Sequence, residues 1–172
     1  MQLRDCTHDE HADAMLAILN EAIVGSTALY DYRPRSADSM RAWFRAKEAG
    51  GFPVIGAFEG PVLLGFASWG GFRAWPAYKY TVEHSVYVHR DHRRRGVGAA
   101  LLAALVDAAR QRQVHVMVGG IDAGNAGSIA LHRRLGFVHA GTIRQAGFKF
   151  GRWLDLEFHQ LTLQMPQHPV DG

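Results

Sequence analysis

The stretch from Glu83 to Ala109, EHSVYVHRDHRRRGVGAALLAALVDAA, limits the folds open to this chain more than any other. Val86-Tyr87-Val88 is a β-branched and aromatic run of the kind that favours a strand. His89-Arg90-Asp91-His92 is polar and turn-like. Arg93-Arg94-Arg95-Gly96-Val97-Gly98 then leads into a segment where Leu101, Leu102, Leu105, Val106 and Ala109 recur at steps of three and four, which predicts a helix with one apolar face. The chain therefore runs from a strand through a basic glycine loop into a helix N-terminus.

The first N–H groups of a helix have no internal partners and carry the positive end of its dipole. Gly96 and Gly98 let a phosphate approach them with no Cβ in the way, and three arginines add charge and forked donors. The pattern predicts a site for a phosphate or pyrophosphate, with a merely solvated basic turn as the alternative. Two familiar nucleotide loops do not fit. GxGxxG needs a glycine where Leu101 stands, and no GxxxxGK followed by Ser or Thr occurs.

Composition narrows the function classes. With 172 residues, 48% of them hydrophobic and 20% charged, the chain is long enough for one domain with its own core. The formal net charge is only +3, and much of the excess sits in Arg90 and Arg93–Arg95. That points to a local anionic ligand and, without basic-aromatic stripes, away from nucleic acid. One cysteine, Cys6, excludes an internal disulfide, and ten scattered histidines include no HExxH pair, so no metal is expected. The N-terminus has no apolar leader and no run approaches eighteen apolar residues, so the expectation is a soluble, cytoplasmic protein without membrane contact.

In order, the pattern predicts a short strand at Met1–Arg4 and a helix from His11 to about Val24, with Ala14, Met15, Ile18, Leu19 and Ala22 as its apolar stripe. Thr7 or Asp9 would cap that helix. A loop at Ala28–Arg35 precedes a second helix that starts at Ser36 and stops at Gly50-Gly51. A hairpin follows, turning at Glu59-Gly60-Pro61, and then the Thr81–Val88 strand and the Gly98–Gln111 helix. Val114–Gly119 reads as a buried strand, and Asn125–Leu135 as a helix with Gly136 at its C-terminal cap. Strands at 137–142 and Leu154–Leu163 finish an α/β (α+β) mixed sheet with a terminal antiparallel pair. The chain reads as one domain over 1–172, with 166–172 a frayed tail.

Arg93-x-x-Gly96-x-Gly98, after Val86-Tyr87-Val88 and before an apolar helix, resembles the acetyl-CoA pyrophosphate loop of the GNAT acyltransferase superfamily. A second signature of that superfamily follows in the right order, Asn125-x-x-Ser128-x-x-Leu131-His132-x-x-Leu135-Gly136-Phe137. Within the superfamily, Phe72-Arg73-x-Trp75-x-Ala77-Tyr78-Lys79, with Thr81–Val88 behind it, is similar to the phosphinothricin and methionine-sulfoximine (sulfone) N-acetyltransferases. So is Gly141-Thr142-x-Arg144-x-Ala146-Gly147-Phe148-Lys149, and the match covers nearly the whole chain.

The resemblance implies a GNAT-like fold, a central mixed sheet flanked by helices, with acetyl-CoA as co-substrate and no metal. The backbone of Val86, Tyr87 and Val88 would hold the pantetheine arm. Arg93, Arg94, Arg95, Gly96, Val97, Gly98 and Ala99 would hold the pyrophosphate, with Asn125, Ser128 and His132 as further cofactor contacts. For Asn125 and Ser128, local helix capping is the alternative. Relatives of this kind are commonly homodimers.

Acetyl transfer to an amine needs a base, a donor for the developing oxyanion and a route for the thiolate. Strand alternation puts Glu83, Ser85 and Tyr87 on one face and His84, Val86 and Val88 on the other. Glu83 is the candidate base, directly or through water, against a solvated strand-end glutamate as the plainer reading. His132 stands where many superfamily members carry a tyrosine thought to protonate the thiolate; a satisfied structural histidine is the alternative. Arg73 and Lys79 flank an aromatic loop with Trp75 and Tyr78, which suits the carboxylate and side chain of a small amino acid. Tyr30 and Phe148 are further candidates for that pocket, the latter from a second subunit.

The expected function is acetylation of the α-amine of a small amino acid or analogue, such as methionine sulfoximine, methionine sulfone or phosphinothricin, a detoxifying reaction. Cys6 has no partner that suggests a covalent acetyl-enzyme, so transfer is expected to be direct, in a ternary complex. The alternatives are a protein or peptide N-terminal acetyltransferase, which needs an open groove, and a non-catalytic acyl-CoA sensor, which does not need Glu83. A third, an RNA-binding module using Arg90–Arg95, would show steeply salt-dependent binding.

Overall fold

The computed structural model describes residues 1–171, and Gly172 lies outside the described residues. Seven strands and four helices follow one another as β1 (Gln2–Asp5), α1 (His8–Gly25), α2 (Ala37–Ala49), β2 (Val54–Glu59), β3 (Val62–Gly71), β4 (Thr81–Val88), α3 (Val97–Gln111), β5 (Val116–Asp122), α4 (Ala126–Arg134), β6 (Val138–Lys149) and β7 (Arg152–Thr162). The strands form one mixed sheet in the order β1-β2-β3-β4-β5-β7-β6. β4 and β5 are parallel, joined through α3, while β1-β2, β2-β3, β5-β7 and β6-β7 are antiparallel. The expected mixed α/β architecture is the one observed. By compactness the chain forms two units, Met1–Ser68 with Ser85–Leu105, and Trp69–His84 with Val106–Gly172.

In the first unit, α1 contributes Met15, Ile18 and Leu19 to a core shared with Cys6, Met40, Val54, Phe58, Leu63 and Phe66. The apolar stripe of α1 is rotated from its sequence reading: Ala12 and His11 are buried, whereas Ala14 is exposed. The helix begins earlier than expected, at His8, with Thr7 at its N-cap and the Thr7 N–H donating to His11 Nδ1 at 3.0 Å. α2 starts from Ser36, as the sequence suggests, with Ser36 at its N-cap position and no capping hydrogen bond from its side chain. Where β3 meets β4, Gly65 faces the strand so closely that a Cβ there would lie 2.6 Å from the Tyr87 carbonyl oxygen.

In the second unit, the parallel ladder between β4 and β5 runs from Thr81↔Val116 to His84↔Gly119 and stops there. Ser85–Val88 of β4 stay outside that ladder, so their backbone groups on that edge are not consumed by it. α4 ends at Arg134 with Leu135, not the expected Gly136, at its C-cap, and Gly136 follows at φ +88°, a conformation that glycine adopts without strain. The final hairpin is longer than the pattern suggests, because β6 continues to Lys149 past two register shifts, at His139/Gly141 and at Ile143/Gly147. Gln145, inside the second, takes φ +53° and its N–H donates to Asp155 Oδ1 at 2.8 Å. These bulges break the period-two pattern that marks a strand in sequence. The tail from Leu163 to Asp171 has no helix or strand, though the Val170 N–H donates to Tyr80 Oη at 3.1 Å. No helix of the described residues is long and apolar enough to cross a membrane.

The Gly65 contact generates a direct expectation. Gly65→Ala pushes a methyl group into the β4 backbone and should cost about 1–3 kcal/mol of stability, measured as a lower urea midpoint at unchanged m.

Candidate active site

The anion loop belongs to the first unit. Gly96 has φ +80° with open space where a Cβ would stand, and Arg94 takes φ +61°. α3 begins at Val97, and the Ala100 N–H donates back to the Gly96 carbonyl, so the N–H groups of Val97, Gly98 and Ala99 lie in the unpaired first turn. Gly98 and Ala99 are half-buried and Val97 is buried, which fixes the helix start against its own core. This geometry fits a phosphate-bearing cofactor.

The three arginines, equivalent in sequence, have different tasks. Arg93 Nη2 donates to both oxygens of Glu21, at 3.1 and 3.4 Å, and its Nε donates to the Val88 carbonyl at 3.2 Å. Arg95 pairs with Glu59 at 3.1 Å and also reaches His92 Nδ1. Arg94 makes no hydrogen bond or ion pair among the described residues, so it is the arginine with free donors. Glu21 and Glu59, far away in sequence, were not legible as part of this loop. Tyr30 sits half-buried in the connection between α1 and α2 of this unit.

The candidate catalytic side chains, Glu83 and His132, belong to the second unit. Glu83 and His84 point to opposite faces of β4, as alternation requires. Glu83 lies 3.9 Å from Arg73 Nη1, and its side chain keeps 38% exposure. Burial raises the Glu83 carboxyl above its ordinary value, and the Arg73 guanidinium pulls it partly back. Gly120 is the reason that Glu83 fits: a Cβ there would lie 3.1 Å from Glu83 Oε1. Arg73 Nη1 also donates to the Phe72 carbonyl, and the guanidinium lies 4.2 Å from the Phe72 ring centre. Trp75 is 74% exposed and Tyr78 42%, and Lys79 is exposed beside the Tyr80 ring, so within one chain these side chains do not close over a pocket. Phe148 is half-exposed against Trp153, at 5.2 Å between ring centres.

On the other face, His84 Nε2 and His132 Nε2 are 3.1 Å apart, with Gly119 beneath both. Two ring nitrogens at that distance need one proton between them. His132 Nδ1 is 2.7 Å from the Ser128 carbonyl, which can only accept, so His132 carries its proton there and presents a lone pair at Nε2. His84 then donates through Nε2, and its buried Nδ1 has no partner. Phe137 packs edge-on against both rings. His159, fully buried, donates through Nε2 to Glu157 at 2.8 Å. Burial, with the His132 ring adding to it, holds His84 down to about 3. Burial also lowers His132, against its bond to Ser128 and with His159. Asn125 Oδ1 accepts the Ser128 N–H at 3.1 Å, capping α4, and Ser128 Oγ lies 3.5 Å from His132 Nδ1. No three His, Cys, Asp or Glu side chains converge in metal-binding geometry among the described residues.

Residues 12–137 match the model of the acetyltransferase (GNAT) family. The chain belongs to that family. It is 47% identical over 150 residues to an L-methionine sulfoximine/L-methionine sulfone acetyltransferase of Pseudomonas paraeruginosa, covering 87% of each chain. It is 44% identical to an L-amino acid N-acyltransferase of Escherichia coli, covering 91% of each. Its fold superposes with TM-score 0.93 on a GNAT superfamily phosphinothricin acetyltransferase from Sinorhizobium meliloti in complex with acetyl-CoA, at 32% identity over 99% of this chain and 92% of that one. The expected relationship to the methionine-sulfoximine and phosphinothricin enzymes is thus the one found for this acetyltransferase.

The histidine pair has a pH signature with a defined sign. Folding lowers the His84 pKa from 6.5, so the folded state binds fewer protons than the unfolded chain. Its contribution to stability is intact above pH 6.5 and is lost as pH falls toward 3. His84→Gln keeps an N–H donor toward His132 without a titrating ring. The urea midpoint should therefore fall less between pH 7.5 and pH 5 in His84→Gln than in the parent.

Proposed function

We propose that this acetyltransferase acetylates the α-amine of a small amino acid or analogue, with L-methionine sulfone and sulfoximine as the first substrates to test and phosphinothricin as a poorer one. The observation that carries the reading is the Arg73–Glu83 pair at 3.9 Å. An α-amino acid bears a carboxylate and an ammonium on one carbon, so a guanidinium and a carboxylate held side by side match its two charges. The names of the relatives support the same class.

Acetyl-CoA supplies the acetyl group already activated as a thioester. Every other requirement falls to the protein. Arg73 orients the substrate carboxylate, and Glu83, made more basic by burial, takes a proton from the ammonium so that the amine can attack the thioester carbon. The C–N bond forms, the C–S bond breaks, and CoA leaves as its thiolate and takes a proton from solvent. Whether that proton crosses a water molecule does not alter the role. The backbone of Val86–Val88, outside the β5 ladder, has groups available for the pantetheine arm and the developing oxyanion. Arg94 and the N–H groups of Val97–Ala99 take the pyrophosphate.

His132 has a lesser part in this reading. Both its ring nitrogens are engaged within the protein and burial keeps it neutral, so it orders the start of α4, where Asn125 and Ser128 stand, rather than donating a proton to sulfur. Cys6 is no alternative nucleophile, since burial pushes its thiol up to about 12.

A single domain, working in the cytoplasm as a homodimer, completes the reading. The exposed Val138, Ile143, Phe148, Phe150 and Trp153 of β6, β7 and their turn support a second copy there, with Phe148 offered to the pocket across the dimer. Acetylation removes the charged amine by which an amino-acid analogue is recognised, and so detoxifies it.

A thiol-release assay with acetyl-CoA and a panel of amino acids tests the proposal. Saturable turnover on methionine sulfone or sulfoximine is expected. Turnover on peptide N-termini alone would overturn it, and binding of acetyl-CoA without any turnover would favour a sensor. Glu83→Gln should lower kcat by about 10²–10⁴ at unchanged thermal midpoint. Arg73→Leu should raise KM for the amino acid and, by removing the influence that lowers Glu83, move the acidic limb of kcat/KM to higher pH.

A further inference from the structure

A carboxylate beside a phosphate site is unexpected, because it repels the ligand that the loop is built to hold. Glu21 is such a carboxylate. It projects from the last turns of α1, its side chain keeps only 17% exposure, and three hydrogen bonds converge on it. Two come from Arg93 Nη2, at 3.1 and 3.4 Å, and one from the Arg90 backbone N–H, at 3.2 Å. Arg93 in turn holds the Val88 carbonyl through Nε. A single guanidinium thus ties the end of β4, the loop and α1 together, all inside one compact unit.

From this arrangement we infer that Glu21 is a positioning residue for the acetyl-CoA loop and that Arg93 is its strut, not a phosphate ligand. The inference rests on the reading that this loop takes the pyrophosphate. Between Val88 and Gly96 the chain has one three-residue 3-10 turn, at Arg90–His92, and a non-glycine residue at positive φ, Arg94. Local backbone hydrogen bonds alone hold such a segment weakly, whereas Glu21 fastens it at Arg90 and again at Arg93. The fastening leaves Arg94 outward and the first turn of α3 open. It also cancels one of the loop's charges, as Glu59 cancels another at Arg95, so that shape rather than summed charge presents the binding groups.

The test has a sign. If Glu21 merely sits near the phosphates, neutralising it removes repulsion and tightens binding. If it positions the loop, neutralising it loosens binding. Glu21→Ala should raise KM for acetyl-CoA and the calorimetric Kd for CoA roughly tenfold, as expected when binding groups lose their alignment. KM for the amino acid and kcat at saturating acetyl-CoA should stay at the parent values, a split that general unfolding does not produce. Glu21→Gln keeps one acceptor oxygen and should lie between parent and Glu21→Ala.

Arg94→Ala serves as the control on the underlying reading. If Arg94→Ala weakens CoA binding and the Glu21 variants match or exceed the parent's affinity, the positioning role is wrong and the loop assignment stands. If the parent binds CoA and neither Arg94→Ala nor Glu21→Ala changes Kd, the loop does not hold the pyrophosphate and both readings fall.

Discussion

Two consecutive residues without side chains, Gly119 and Gly120, set what β5 allows its neighbours to do. A strand presents successive residues to opposite faces, so this pair leaves a gap on each side of the sheet. Into one gap fits the Glu83 carboxylate, and into the other the His84–His132 contact. The adjacent residues of β4 are a partly solvated acid and a buried neutral base. Their environments differ because one gap opens toward Arg73 and solvent and the other is sealed by α4 and Phe137. A methyl group at Gly119 would collide with His84 Nε2, and one at Gly120 would press on the Glu83 carboxylate, so β5 shapes the surroundings of both β4 side chains.

Backbone geometry reaches into the chemistry of the histidine pair. A carbonyl accepts and never donates, so Ser128 fixes where the His132 proton sits, and this choice passes through Nε2 to His84. The chain of decisions ends at a buried nitrogen without a partner, His84 Nδ1. Burying an unpaired polar atom costs free energy, and the histidines bear that cost by staying uncharged. Imidazoles thus fill a space that an aliphatic side chain would fill more simply.

Much of this was readable in the sequence. The apolar period of α3, the glycines of its preceding loop and the alternation of β4 are local patterns, and the structure keeps them: Leu101, Leu102, Leu105, Val106 and Ala109 are all buried. The resemblance motifs brought the loop and Glu83 to attention together. What stayed hidden depends on residues far apart in the chain. Nothing near Arg93 in the sequence announces Glu21 as its partner, and nothing near His132 announces that His84 lies against its second nitrogen. The bulges of β6 hid half of that strand, since Ala140 and then Arg144-Gln145-Ala146 fall between paired residues and interrupt the alternation. The aromatic loop with Trp75 and Tyr78 reads in sequence as suited to an amino-acid side chain, yet both rings are exposed on their own chain.

Those same bulges have a consequence for how the protein keeps its own company. β6 is the last strand of the sheet, and an outermost strand offers unpaired backbone groups to any extended chain that passes. Apolar residues along it, Val138 and Ile143 among them, would add grip to such an encounter. Two breaks in register within twelve residues leave no long straight run to copy. The bulged edge offers an arbitrary extended chain only short matching stretches, which works against open-ended strand addition.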